Sequence, residues 1–375
     1  MTEVEDVYDK LRVLLSHKHF TPLPKNELVE KLLKNIYSEE EAFIVANGFK
    51  KSFWPVTLRR IRKRTKMKRK ELKKKIKEMM DKGKLVKRGH FVVLPGYFPG
   101  LFEEYFTFSK DDPERLKKAG EAHFGLIQSG FHIEHHAAGF PVFRVVPAVD
   151  PTQKTIEINK SIKVKNRVLS YEELKKLMKK YKTLAVQPCS CRITAKLSGN
   201  PCKLTEENFC VSAGPLARFL IKEGVGKRVS YDELMEIFKR AEKEGLVHHT
   251  LNMKKGSFFV CNCCPCCCGY LTQLTLFGNR NAIAISNFIP IIDIEKCKVC
   301  GLCAKKCPMD AIIKSSDDKM EIDLDLCIGC GVCAANCPNG SLTLKKVKNY
   351  KPVKGHIGVL RKLRRASKKV SKVEV

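Results

Sequence analysis

The sequence predicts an α+β protein of several domains, and three observations carry that expectation. The first hundred residues space their apolar side chains as helices do and close on a hairpin pattern. The next stretch mixes helical and alternating patterns and holds ten cysteines. A short module near the C-terminus repeats its own cysteine spacing after about 30 residues. The expected divisions are a helical, winged-helix-like part (1–99), a mixed α/β cysteine-rich part (100–287), a compact (βαβ)2 module (288–345), and a basic tail expected to be disordered (346–375).

Each element has a local reason. Val7, Leu11, Val13, Leu14 and Leu15 give residues 1–20 an apolar helical face. Two helices follow, from Asn26 to about Tyr37 and from Ser38 to about Asn47. Ser38 and Glu41 form a capping-box pattern, and Gly48 reads as the stop. Thr57 caps a helix carrying Ile61 and Thr65. A second helix over 68–82 buries Leu72, Ile76, Met79 and Met80, and Gly83 ends it. Lys84 to Pro95 alternates as a hairpin, so residues 50–95 read as two helices and a wing. Further on, Phe140–Val149 and Thr155–Ile158 read as strands. Ser170 and Glu173 open a helix to about Lys180, and Leu184–Val186 is a strand leading to Cys189. Ser230 and Glu233 form another capping box. Its helix buries Leu234, Ile237, Phe238 and Ala241, and strands over 246–251 and 257–263 run straight into a cysteine cluster.

The C-terminal module carries the chemistry. Cys297, Cys300, Cys303 and Cys307-Pro308 are followed by Cys327, Cys330, Cys333 and Cys337-Pro338, both in the pattern C-x2-C-x2-C-x3-C-P. Three thiolates on a tight loop can each reach a different iron of one cubane, and the fourth must approach from the far side. Gly301 and Gly331 let backbone amides come close. These residues resemble a dicluster 4Fe–4S ferredoxin domain. That resemblance implies two [4Fe–4S] clusters with exchanged fourth ligands. Cys297, Cys300, Cys303 and Cys337 would hold one, and Cys327, Cys330, Cys333 and Cys307 the other. Two zinc sites or a disulfide framework are the bland alternatives.

The other ten cysteines leave more than one reading open. Cys189, Cys191, Cys202 and Cys210 are spaced C-x-C-x10-C-x7-C, enough for a further Fe–S cluster or a zinc ion. Cys261, Cys263, Cys264, Cys266, Cys267 and Cys268 fall within eight residues. No regular conformation aims all six at one centre. Either the chain bends at Pro265, or the segment serves two sites, one of them shared with Cys189 and Cys191 in one version. Cys267-Cys268-Gly269 is faintly similar to the CCG motifs of heterodisulfide reductases, and a metallothionein-like zinc cluster is the plain rival. Taken together, the helical start, Cys189-Ser-Cys191-Arg192, the six-cysteine run and the tandem module resemble a family of iron–sulfur binding proteins of anaerobic prokaryotes, over about residues 20–345. His132, His135 and His136, and His248 with His249, read as surface or loop residues.

Eighteen cysteines with no leader-like N-terminus and no apolar run of membrane length point to thiolate–metal chemistry in a reducing cytoplasm. A formal charge of +31 suits acidic partners, and the basic tail suits an acidic protein or an anionic membrane surface. No phosphate loop, dinucleotide fingerprint or nucleophile elbow is present, so the chain reads as an electron carrier or oxidoreductase subunit without its own catalytic motif, serving a redox partner protein. The alternative is a redox-responsive nucleic-acid-binding regulator. It would use Lys68, Arg69, Lys70, Lys73, Lys74 and Lys77 on the second helix and Lys84, Lys87 and Arg88 on the wing. Binding that weakens steeply with salt would be its signature.

Overall fold

The computed structural model describes residues 3–16, 23–98, 100–130, 140–161, 172–204, 210–348 and 350–370. The chain divides into two compact units. The first comprises Met1–Ala138, Cys189–Glu206 and Ala366–Val375, and the second Gly139–Pro188 and Glu207–Arg365.

In the first unit, helices span Glu3–Leu15, Glu27–Ile36, Glu39–Gly48, Leu58–Thr65, Arg69–Asp81, Leu101–Phe108 and Pro113–Gln128. Their starts obey the local signals. Asn26 accepts from Val29 N, Ser38 and Glu41 close the capping box, and Thr57 accepts from Arg60 N. Gly48 acts differently from the expected stop. It is the last helical residue, and a Cβ there would lie 2.8 Å from Ile61 Cγ2, so glycine serves close helix approach. Strands β1 (Val56–Thr57), β2 (Val86–Arg88) and β3 (Phe91–Val93) form an antiparallel sheet in the order β1-β3-β2. Leu11, Leu32, Ile36, Ile61, Leu72 and Met79 meet in one core. Helix Ser190–Leu197 joins this unit, with Ile193 and Leu197 against that core and Ser190 bonded to Thr107 at 2.6 Å.

Lys84, expected as an exposed wing cation, is 1% exposed instead. Its ammonium meets Glu41 at 2.9 Å and Asp111 at 2.7 Å, and Lys82 reaches the other Asp111 oxygen at 2.7 Å. Burial raises the Asp111 pKa, but the two lysines outweigh it and hold the group at about 2.

The second unit is built on a seven-stranded sheet. Its strands are β4 (Phe143–Val146), β5 (Leu184–Gln187), β6 (Cys210–Ala213), β7 (Lys227–Val229), β8 (Val247–Leu251), β9 (Phe259–Cys263) and β10 (Ile283–Ala284), in the order β10-β4-β8-β9-β6-β5-β7. Helix Tyr231–Lys243, capped by Ser230 and Glu233 as its sequence implies, lays Leu234 and Phe238 into the core beneath β5, β6 and β9. Thr155–Ile158 is helical, within Val149–Ser161, and not the strand its alternation suggests. Pro151 suits a first helical turn, and the Thr155 hydroxyl bonds back to Pro151 O at 3.0 Å and to Leu344 O at 2.7 Å.

The same unit contains two small antiparallel sheets. β11 (Phe288–Ile292) pairs with β14 (Leu342–Lys346), and β12 (Ile312–Lys314) with β13 (Met320–Ile322). Among the described residues beyond β14, helix His356–Val370 stands in the tail expected to be disordered. Lys346 is buried on Glu172 at 2.8 Å, Val353 bridges Met253, and helix His356–Val370 buries Val359 and Leu363. Among the described residues, no helix is long and apolar enough to cross a membrane.

Candidate metal centres

Two short helices, Leu302–Lys306 and Val332–Ala335, sit between the small sheets. Each begins on a left-handed glycine, Gly301 at φ 72° and Gly331 at φ 78°. Gly329, at φ 67°, is tighter still: a Cβ would fall 2.1 Å from Phe288 O. Its counterpart in the first run is Val299, held at φ 50°, a conformation that a β-branched residue adopts only under constraint.

These loops shape two cavities. One is lined by Cys297, Cys300, Cys303 and Cys337, with Ile292, Met320 and Leu342. The other is lined by Cys307, Cys327, Cys330 and Cys333, with Pro290, Met309 and Ile328. Each draws three cysteines from one run and one from the other. Backbone amides already point at sulfur: Ala311 N reaches Cys307 Sγ and Gly329 N reaches Cys327 Sγ, both at 3.4 Å.

The electrostatics call for a cation. Burial pushes the Cys330 thiol up to about 12, drives Cys333 well above the ordinary range, and raises Cys303 and Cys327. Cys337 is the exception. Burial raises it, but hydrogen bonds from the Ser341 hydroxyl and nearby amides bring it down overall. Four thiolates in such a space are stable only with metal to neutralise them. The residues therefore fit iron–sulfur ligation.

The cavities differ in shelter. Cys300, in the first, is exposed, whereas Cys330 and Cys333, in the second, are buried. The second run is also clasped by the rest of its unit. Arg280 donates to Leu326 O and Cys327 O at 3.0 and 3.2 Å, Ser286 N to Ile328 O at 3.0 Å, and Ala148 N to Cys330 O at 2.9 Å.

Residues 296–342 match the family model described as a 4Fe-4S dicluster domain. This part of the chain is a 4Fe–4S ferredoxin-like domain. No curated protein and no solved structure matches the chain.

The remaining cysteines distribute as follows. Cys189 is the N-cap of helix Ser190–Leu197 and Cys191 lies in its first turn, so the C-x-C is helical. Cys189, Cys191 and Cys202 belong to the first unit and do not converge as a group of three within 4.8 Å; Cys210 opens β6 in the second. The six-cysteine run does bend at Pro265. Cys261 and Cys263 end β9, a turn follows, and Cys268 caps helix Gly269–Thr275. The bend sorts its sulfurs. Cys264, Cys266 and Cys267 lie within 4.8 Å of one another, and so do Cys263, Cys268 and a ring nitrogen of His249. No disulfide joins any of the described cysteines.

His248 and His249 are each 1% exposed, which corrects the surface reading. They lie on opposite faces of β8. His248 bonds Asn262 at 2.6 Å and Glu242 at 3.1 Å, and Glu242 also accepts from Val149 N at 2.7 Å. His249 sits opposite Cys261 in the β8–β9 register. Sequence reasoning missed it, although alternation along 247–251 against 259–263 puts His249, Cys261 and Cys263 on one face. His132, His135 and His136 lie outside the described residues.

Proposed function

We propose that the chain is an iron–sulfur electron-transfer protein that carries two [4Fe–4S] clusters in its ferredoxin-like domain, holds a further metal centre among its middle cysteines, and serves a partner oxidoreductase. The observation that carries the reading is the pair of four-cysteine cavities, each completed by one cysteine from the opposite run. Cys297, Cys300, Cys303 and Cys337 would hold one cluster, and Cys327, Cys330, Cys333 and Cys307 the other. When bound, the clusters supply one-electron chemistry at low potential. The protein's own part is to exclude water with Ile292, Met309, Ile328 and Met320, and to aim amides at the sulfurs. The exposed Cys300 side is the natural entry for a partner, with the sheltered cavity behind it.

Anaerobically reconstituted protein should contain about eight irons in this domain, with the reduced-state EPR of two interacting clusters. Fewer irons together with no low-potential signal would sink the reading. For the nucleic-acid alternative, Lys68, Arg69, Lys70, Lys73, Lys74, Lys77, Lys87 and Arg88 are exposed in the first unit, but Lys84 is withdrawn from it by its ion pairs.

A further inference from the structure

We propose that His249, Cys261, Cys263 and Cys268 bind one tetrahedral metal ion of the zinc class, a site that is mononuclear and not a third cubane. This deepens the further-centre part of the function proposed above by naming ligands and metal.

Three observations carry it. The first is spacing. A ring nitrogen of His249 and the sulfurs of Cys263 and Cys268 lie within 4.8 Å of one another. Zinc–sulfur bonds of about 2.3 Å at tetrahedral angles put ligand atoms roughly 3.8 Å apart. A cubane spreads its thiolates over separate irons and needs them further apart. Among the described residues, no three ferredoxin-domain cysteines fall in so tight a group, although four line each cavity there. The same chain thus shows two spacings, one suited to a cluster and one to a single ion.

The second is an orphaned atom. Among the described residues, His249 Nε2 is buried without a hydrogen-bond partner, in a residue 1% exposed whose ring also hydrogen-bonds Cys268. A buried imidazole nitrogen left so loses its hydration with nothing in return. Its neighbour His248 shows the contrast, with both ring nitrogens bonded. Neutral imidazole is a common metal ligand, and together with thiolates it suits zinc.

The third is the rigidity of the donors. β8 pairs His249 with Cys261, and Cys263 follows two residues on, on the same face. Cys268 is presented from the start of helix Gly269–Thr275 after the turn at Pro265. Cys261, hydrogen-bonded to Cys263 but outside the group of three, would swing in as the fourth ligand and close the site, with no position left open for substrate.

The test uses the full chain. Zinc analysis should find tightly held zinc besides the iron, and zinc-edge X-ray absorption should show sulfur near 2.3 Å together with an imidazole nitrogen near 2.0 Å. In His249→Gln the imidazole scattering should vanish and zinc affinity fall, with the iron content of the ferredoxin-like domain unchanged. Cobalt(II) in place of zinc should give tetrahedral d–d bands that shift in the same variant. Absence of zinc from the purified chain, zinc with an all-sulfur shell, or His249→Gln losing iron instead of zinc would each overturn the site. Iron at the ferredoxin cavities reads the function proposed above separately, so either proposal can fail alone.

Discussion

Replacing Cys337 by Ser is expected to damage the cluster of Cys297, Cys300 and Cys303 and to spare the one held by the three cysteines nearest to it in sequence. The reason is the cavity: Cys337 faces the first run's thiols across the module. Iron should fall from about eight per chain towards about seven, as one iron loses its thiolate and a three-iron form appears. Cys307→Ser should strike the other cluster and cost more stability, because that loop is bonded to Arg280, Ser286 and Ala148 and metal binding is folding energy there. Iron analysis with EPR on both variants decides the matter. Loss of the Cys327, Cys330 and Cys333 cluster in Cys337→Ser would show the ligand exchange to be wrong.

The second large effect is expected far from any cysteine. Lys84→Met should destabilise the first unit by about 3 kcal/mol or more, since it leaves Glu41 and Asp111 buried without their shared cation. Far-UV circular dichroism follows the loss of this unit's helices, since Trp54, the chain's one tryptophan, is already exposed when folded. The pH dependence has a definite sign. Asp111 titrates at about 2 when folded, below its ordinary 3.8. Its contribution is therefore fully present above pH 3.8 and is lost as pH falls through about 2. In Lys84→Met the folded value should rise, and acid unfolding should lose part of that dependence. A triple change to Glu41→Gln, Asp111→Asn and Lys84→Met should recover much of the lost stability. Unchanged denaturation midpoints in Lys84→Met would refute the ion-pair account.

What could be read from the sequence follows the range of the interaction behind it. Capping at Ser38, Thr57 and Ser230 depends on three or four residues, and the cluster loops depend on about a dozen, so both were visible in the chain. Lys84 was misjudged because its two carboxylates come from Glu41 and Asp111, and nothing local distinguishes a buried lysine from a solvated one. His249 escaped for the same reason, since only the hairpin register carries it to Cys261. At Thr155–Ile158 the alternation was real, but it described a helix whose outer contact, Leu344, lies 189 residues away.

The exchange of cysteines between the two cavities also bears on biosynthesis. As the chain leaves the ribosome, Cys297, Cys300 and Cys303 emerge first and stay without a fourth thiol, while Cys307 waits for a set not yet translated. The second cavity is complete only at Cys333 and the first only at Cys337, a gap of 337 − 333 = 4 residues. Both vessels therefore become fillable almost together, after which β14 pairs with β11. Under the proposed ligation, a chain stalled between the two runs offers three thiols to one cluster and a single thiol to the other, so full loading of both waits for the last cysteines.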